Sequence, residues 1–170
     1  MPQLKIRQKI QEGEIIKMNI LNEATISFVS NSGNEAFARA SAVAFLLSAD
    51  PPVNDISDIK TALSEAVTNA IIHGYKNAKG KIYINLKLFE DRKLVIKVRD
   101  KGCGIADIKK AMEPLFTTGG EEQAGIGFAV MQSFSDSLKV KSEINKGTTV
   151  TIVKKLCCKD DVKNMTVKRQ

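Results

Sequence analysis

Between Ile82 and Val98 the chain alternates so regularly that few folds can accommodate it. Ile82, Ile84, Leu86 and Leu88 alternate with Tyr83, Asn85 and Lys87; Glu90, Asp91 and Arg92 then turn the chain into Leu94, Ile96 and Val98. Successive side chains of a strand point to opposite faces, so this pattern predicts two strands joined by a tight polar turn, with one apolar face. A lone hairpin is marginal in water, and its apolar face needs a second layer. The cover is encoded upstream. Ile56, Ile59, Leu63, Ala66, Val67, Ala70 and Ile71 recur at helical spacing, in a helix that starts at Asp55 or Ser57 and stops near Gly74. A second helix is expected from a cap at Ser32 or Asn34 to about Ser48, burying Phe37, Ala40, Val43, Ala44 and Leu47, with Asp50-Pro51-Pro52 as its stop.

The remaining segments extend the same architecture. A strand is predicted from Ala24 to Ser30, with Ile26 and Phe28 on one face. A short helix follows around Asp107–Met112, then a helix over Phe128–Asp136 and a hairpin of Leu138–Ile144 with Thr148–Val153. The expected fold is α/β: a two-layer sandwich of one mixed, mostly antiparallel sheet with helices on one face. A chain of 170 residues fits one domain with a sizeable core. Three segments are expected. Residues 1–17 form an N-terminal extension, with Met18 as the alternative start; 18–156 form the folded domain; 157–170 form a charged, disordered tail.

Composition excludes several classes. With 43% hydrophobic residues the chain is not disordered throughout. It has no apolar run of membrane-spanning length and no signal peptide, so a cytoplasmic, membrane-free protein is expected. Cys103, Cys157 and Cys158 lack metal spacing, and a single histidine argues against zinc. They read as reduced, structurally incidental thiols. The net charge is +7, of which residues 1–17 hold +2 and residues 154–170 hold +4, leaving +1 for the body. With the basic excess at the ends and no basic, aromatic-rich strand, no direct nucleic-acid partner is expected.

Chemistry-bearing residues cluster in four places. Glu65 and Asn69 are four apart on the helix that carries Ile56 to Ile71, so they stack one turn above the other, away from its apolar stripe. A carboxylate and a carboxamide so placed suit a general base and an oxygen ligand for a hard cation. The strand ending at Arg99 runs into Asp100-Lys101-Gly102-Cys103-Gly104. Gly125 and Gly127 open an apolar helix, and Gly147-Thr148-Thr149 opens the last strand. In that order the four motifs resemble the N, G1, G2 and G3 boxes of the GHKL ATP-binding superfamily. Glu65 to Tyr75 (E-A-V-T-N-A-I-I-H-G-Y), Pro114 to Thr118 (P-L-F-T-T) and Asn34 to Arg39 (N-E-A-F-A-R) resemble its anti-sigma F branch from spore-forming bacteria. The resemblance covers roughly Met18 to Leu156.

The resemblance implies the GHKL (Bergerat) fold and a site for ATP with Mg²⁺. By family pattern Asp100 accepts from the adenine amino group, Gly102 and Gly104 let the backbone approach the base, and Thr148 supports the same end of the ligand through a water. Asn69 offers its carbonyl oxygen to Mg²⁺. Gly125 and Gly127 precede a helix whose amides suit phosphate. His73 and Gly74 close the N box, where His73 contacts nucleotide or packs locally. A lid from about Leu115 to Ala124 presents Thr117 and Thr118. Glu65 is the implied base of phosphoryl transfer. Family lids of this branch carry a basic residue between the threonines and the glycines; here Gly119-Gly120-Glu121-Glu122-Gln123-Ala124 has none, which predicts slow transfer.

A dimerising helix pair with a phosphoacceptor histidine, or a transducer domain, would mark the other branches, and the sequence shows neither. The implied function is a serine/threonine kinase that also binds and inhibits a sporulation sigma factor, and that phosphorylates a serine of an anti-anti-sigma partner. The family implies a homodimer. Arg39 matches a partner-contacting arginine of the branch and reads equally well as an ordinary exposed helix arginine. Two alternatives are a kinase of a general-stress sigma system and a nucleotide-gated sigma-binding module with little catalysis.

Overall fold

In a computed structural model, which describes residues 19–76, 78–113 and 126–158, the alternating segment lies at the centre of a five-stranded sheet. β2 (Lys81–Phe89) pairs with β3 (Lys93–Arg99), Ile84 opposite Val98 and Leu86 opposite Ile96. β1 (Ile20–Val29) lies outside β2; the hairpin of β4 (Ser137–Glu143) and β5 (Gly147–Lys155) joins β3 through β5. The order is β1-β2-β3-β5-β4. Among the described residues every pair is antiparallel, so a sheet expected to be mostly antiparallel is wholly so there. The reason lies in the crossover from β1 to β2. Two helices, rather than the one of a βαβ unit, return the chain to the end where β1 finished. The Ser30 amide accordingly donates to the Gly80 carbonyl at 2.8 Å.

Those two helices are α1 (Asn34–Leu46) and α2 (Val53–Asn69), packed on one face of the sheet. Beneath them Ile82, Ile84, Leu86, Leu88, Leu94 and Ile96 are fully buried against Ile59, Leu63 and Val67 of α2. The helical stripe of α2 is in place, but its start is earlier than predicted. Pro52 occupies the cap position, and Asp55 sits buried in the first turn, accepting from the Cys157 amide at 2.7 Å.

None of the five residues expected on the buried stripe of α1 is fully buried. Ala38, Ala42 and Leu46 are buried, whereas Phe37 and Leu47 are 49% and 62% exposed, and Ala40 and Ala44 face solvent. α1 is apolar around most of its circumference, so periodicity does not select a face. Packing does, because alanines let the helix approach closely. Phe37 stays at the margin, edge-on to Phe28 with ring centroids 6.0 Å apart. Its cap is also different: Gly33 holds that position without a side-chain bond, while Asn34 Nδ2 donates to the Val29 carbonyl at 2.8 Å.

α3 (Ile108–Ala111) and α4 (Gly127–Ser133) complete the fold. No helix among the described residues is long and apolar enough to cross a membrane.

Candidate functional site

After Asn69 the helix does not simply end. Ala70–Gly74 make one turn of π-helix, in which the Tyr75 amide bonds back five residues to the Ala70 carbonyl at 3.2 Å. A π-turn widens the helix and re-aims its last residues, a feature frequent at functional sites. Here it brings Gly74 against the loop that follows β3. The Cys103 amide donates to the Gly74 carbonyl at 2.8 Å, and Cys103 Sγ to the His73 carbonyl at 3.1 Å. Tyr75 ties the same elements: its hydroxyl accepts from the Lys101 amide (2.9 Å) and donates to the Lys81 carbonyl (2.5 Å).

Between the π-turn, this loop and the ends of β3 and β5 opens a cavity of about 500 Å³, within the range of cofactor pockets. Ala66, Ala70, Val98, Val150 and Phe128 make its apolar walls. Asp100 is its main polar feature and is 4% exposed. Oδ1 accepts from the Gly102 amide at 2.8 Å and the Thr148 amide at 3.2 Å, which leaves Oδ2 for a ligand in the cavity. Burial raises its pKa above the ordinary 3.8, against the opposing effect of the Gly102 and Thr148 amides and its own backbone. Thr148 is held in turn. Its hydroxyl lies 2.8 Å from Ser142 Oγ, which also accepts from the Ile105 amide at 2.8 Å.

The glycines also hold the protein's own backbone together. A Cβ on Gly102 would lie 1.9 Å from the Gly74 carbonyl oxygen, and one on Gly104 (φ +72°) would lie 2.2 Å from the Glu143 carbonyl oxygen. Both empty positions are filled by the protein's own backbone, so these glycines clamp the loop to the π-turn and to the end of β4. Gly102 does not line the cavity at all, whereas Gly104 does. A Cβ on Gly74 would meet Asp100 Cγ at 3.0 Å, so Gly74 makes room for the carboxyl group. Gly147 (φ +96°), which opens the last of the four motifs, lets β5 begin against the Asp100 backbone, where a Cβ would sit 2.3 Å from its carbonyl oxygen.

Glu65 and Asn69 converge at the rim. The Cβ position of Gly127 lies 3.1 Å from both Glu65 Oε2 and Asn69 Nδ2, and 3.3 Å from Asn69 Oδ1. Glycine at the start of α4 thus lets its backbone close on the carboxylate and the carboxamide together. Asn69 lines the cavity, and Glu65 stands just outside it. His73 is exposed at the mouth. Thr117, Thr118 and Gly125 lie outside the described residues. Sequence reasoning missed two cations of the wall, Lys76 and Lys110, because neither falls in a motif.

Arg39 lies elsewhere. Its Nη1 donates to Glu35 Oε1 and Oε2 at 2.9 and 3.1 Å, and Ser64 Oγ donates to Glu35 Oε1 at 2.6 Å. With Lys60, Thr61 and Ser64 it borders a groove of about 390 Å³ that Glu65 also lines.

The family pattern of the histidine kinase-like ATPase domain matches residues 28–154. The chain is 48% identical to the anti-sigma F factor of Clostridium acetobutylicum, over 82% of this chain and 98% of that protein. It is 46% identical to that of Geobacillus stearothermophilus (84% and 99%) and 52% identical to that of Thermoanaerobacter pseudethanolicus (81% and 96%). Among solved structures it is similar to the RsbU and RsbW domains of a Mycobacterium tuberculosis protein, with a TM-score of 0.60, 23% identity and coverage of 79% of this chain and 32% of that one. The SiaB–SiaC complex from Pseudomonas aeruginosa gives 0.55 and 14%, covering 89% and 96%. These two likenesses are of fold.

Proposed function

This chain belongs to the histidine kinase-like ATPase domain family, in its anti-sigma F factor branch, and from that premise we propose that it is a cytoplasmic anti-sigma factor and a protein serine kinase. It sequesters a sporulation sigma factor and phosphorylates a serine of an anti-anti-sigma partner with Mg-ATP. The observation that carries this reading is the convergence of Glu65 and Asn69 on Gly127 at the rim of a cavity whose other end holds the buried Asp100.

The residues fit an adenine nucleotide. Asp100 Oδ2 suits an amino-group donor, and apolar walls suit a planar base. Among the described residues no group of three His, Cys, Asp or Glu could hold a metal ion. Mg²⁺ would therefore rest on Asn69 Oδ1, water and phosphate oxygens. When bound, ATP supplies the phosphoryl group and Mg²⁺ spreads its charge. Glu65 accepts the proton of the acceptor hydroxyl, a contribution of roughly 10²- to 10⁴-fold. Gly127 keeps the backbone close to both side chains. Thr117, Thr118 and Gly125 are assigned to the phosphate end on motif alone.

The groove shared by Arg39 and Glu65 supports a partner surface continuous with the base, so that a docked protein brings its serine to Glu65. The exposed Ile20, Leu21 and Val29 on edge strand β1, with Phe37 on α1 and Leu47 just after it, support a homodimer.

The test is transfer of labelled γ-phosphate from Mg-ATP to a purified anti-anti-sigma protein, with the Glu65→Gln variant beside the wild type. Transfer should fall at least 100-fold in the variant while nucleotide affinity stays within a few fold. Full transfer by Glu65→Gln would remove Glu65 as base. No transfer by wild type, with nucleotide and sigma-factor binding intact, would reduce the protein to a nucleotide-gated sequestering module.

A further inference from the structure

The near-neutral charge of the folded body conceals a segregation that only register reveals. The helices cover one face of the sheet, and the side chains between the buried positions project from the other. Two adjacent rungs of that open face can be read across the ladder. One runs Thr25, Asn85, Lys97, Thr151, Lys139; the next runs Ser27, Tyr83, Arg99, Thr149, Lys141. Lys97, Arg99, Lys139 and Lys141 are all exposed, and neither rung contains a carboxylate.

None of these four cations makes an ion pair among the described residues, unlike their neighbours. Lys87 is bound to Glu23 at 3.0 Å, Lys155 to Asp91 at 2.9 Å, and Lys146 to Glu143. Two acids flank the patch on its neighbouring rungs, and each is already held: Glu143, two residues beyond Lys141 on the same face of β4, by Lys146, and Glu23 by Lys87 and by Asn85 at 2.9 Å. A fifth cation adjoins the patch: Lys101 Nζ lies 5.9 Å from the centre of the Tyr83 ring, whose cross-strand neighbour is Arg99.

The composition of the two rungs identifies the kind of partner. They hold lysine, arginine, serine, threonine, asparagine and tyrosine and nothing else, which is the set of side chains that contacts nucleic-acid phosphates. A protein interface would be expected to have an apolar or aromatic centre, and the only aromatic here is Tyr83. A membrane-inserting face would expose apolar residues, which these rungs lack. An open sheet with a tyrosine set among cations is the surface on which single strands lie, with phosphates on the cations and a base on the ring. From this we infer that the open sheet face binds single-stranded nucleic acid through its backbone, without sequence preference. The face is opposite the cavity, because Val98 and Val150 line the cavity while their neighbours Lys97, Arg99, Thr149 and Thr151 point away.

Fluorescence anisotropy of a labelled 20-nucleotide oligothymidylate with the full chain tests this. Four phosphate contacts on a single strand predict a salt slope of about −2.8, so affinity should fall about 50-fold between 50 and 200 mM salt. Lys97→Gln combined with Lys139→Gln should halve the slope, leaving a fall of about 7-fold, and should weaken binding at 50 mM. Lys163→Gln with Lys168→Gln removes two positive charges from the C-terminal end and should leave the slope unchanged. Thermal melts of both double variants should match the wild type, since all four side chains are exposed or terminal. The inference is overturned if the terminal variant loses as much as the sheet variant, or if wild type shows no salt-dependent binding. It is equally overturned if phosphatidylglycerol vesicles bind this face and oligothymidylate does not compete.

Discussion

Replacing Gly102 by alanine tests the clamp between the loop and the π-turn. The new Cβ would lie 1.9 Å from the Gly74 carbonyl oxygen, 2.3 Å from its carbonyl carbon and 2.9 Å from its Cα. These are backbone atoms, so relief requires the loop and the π-turn to separate by more than 1 Å. That separation breaks the Cys103 amide to Gly74 carbonyl bond (2.8 Å) and strains the Gly102 amide to Asp100 bond (2.8 Å). Losing one to two such bonds costs about 1–2 kcal/mol, and overpacking adds about 1–3 kcal/mol. A total of about 2–5 kcal/mol in a chain of this size corresponds to a melting point lowered by roughly 4–20 °C. Differential scanning calorimetry reads this directly. Nucleotide affinity should fall together with stability, because the displaced loop carries Asp100. A melting point within 2 °C of wild type would refute the clamp and return Gly102 to a role at the ligand.

Asp100→Asn should separate folding from binding. The amide oxygen can still accept from Gly102 and Thr148, so stability at pH 7 should equal or exceed wild type, while adenine-nucleotide affinity falls about 10- to 100-fold in calorimetric titration. The pH dependence has a definite sign. Because the folded pKa is raised above 3.8, the native state binds the proton more tightly than the unfolded chain. Wild-type stability should thus decline as pH rises from about 3.8 through the raised value, and Asp100→Asn should lack that component in urea melts taken across the window. Tyr75→Phe removes the hydroxyl that bridges the Lys101 amide and the Lys81 carbonyl; water reaches both groups, so a loss of only about 1–2 kcal/mol is expected by denaturant unfolding. Asp55→Ala frees the Cys157 amide from α2 and should cost about 1–2 kcal/mol, with faster amide exchange confined to the residues around Cys157.

Much of the fold was legible because it is written in periods. Strict alternation located β2 and β3, and a helical stripe located α2, since each pattern matches a single way of burying an apolar face. The motif residues Glu65, Asn69, Asp100 and Gly127 were legible as types of chemistry at fixed spacing. Other features had no such signal. α1 is apolar on more than one side, so its buried face was settled only by how closely its alanines approach the core. The π-turn at Ala70–Gly74 arises where the helix meets the loop after β3, and no local residue announces it.

The glycines show the division most clearly. Their positions are in the sequence, but what fills the space beside them, the Gly74 carbonyl for Gly102 and the Glu143 carbonyl for Gly104, comes from distant chain. Charge divides the same way. Sequence fixes a net of +7 and its surplus at the ends, while strand register places Lys97 beside Lys139, and Arg99 beside Lys141, on either side of β5. Local pattern determines which face a residue takes, because the period of a strand or helix is intrinsic to the backbone. Which residues become neighbours across strands and loops depends on pairing between remote segments, and that is decided only when the whole core closes.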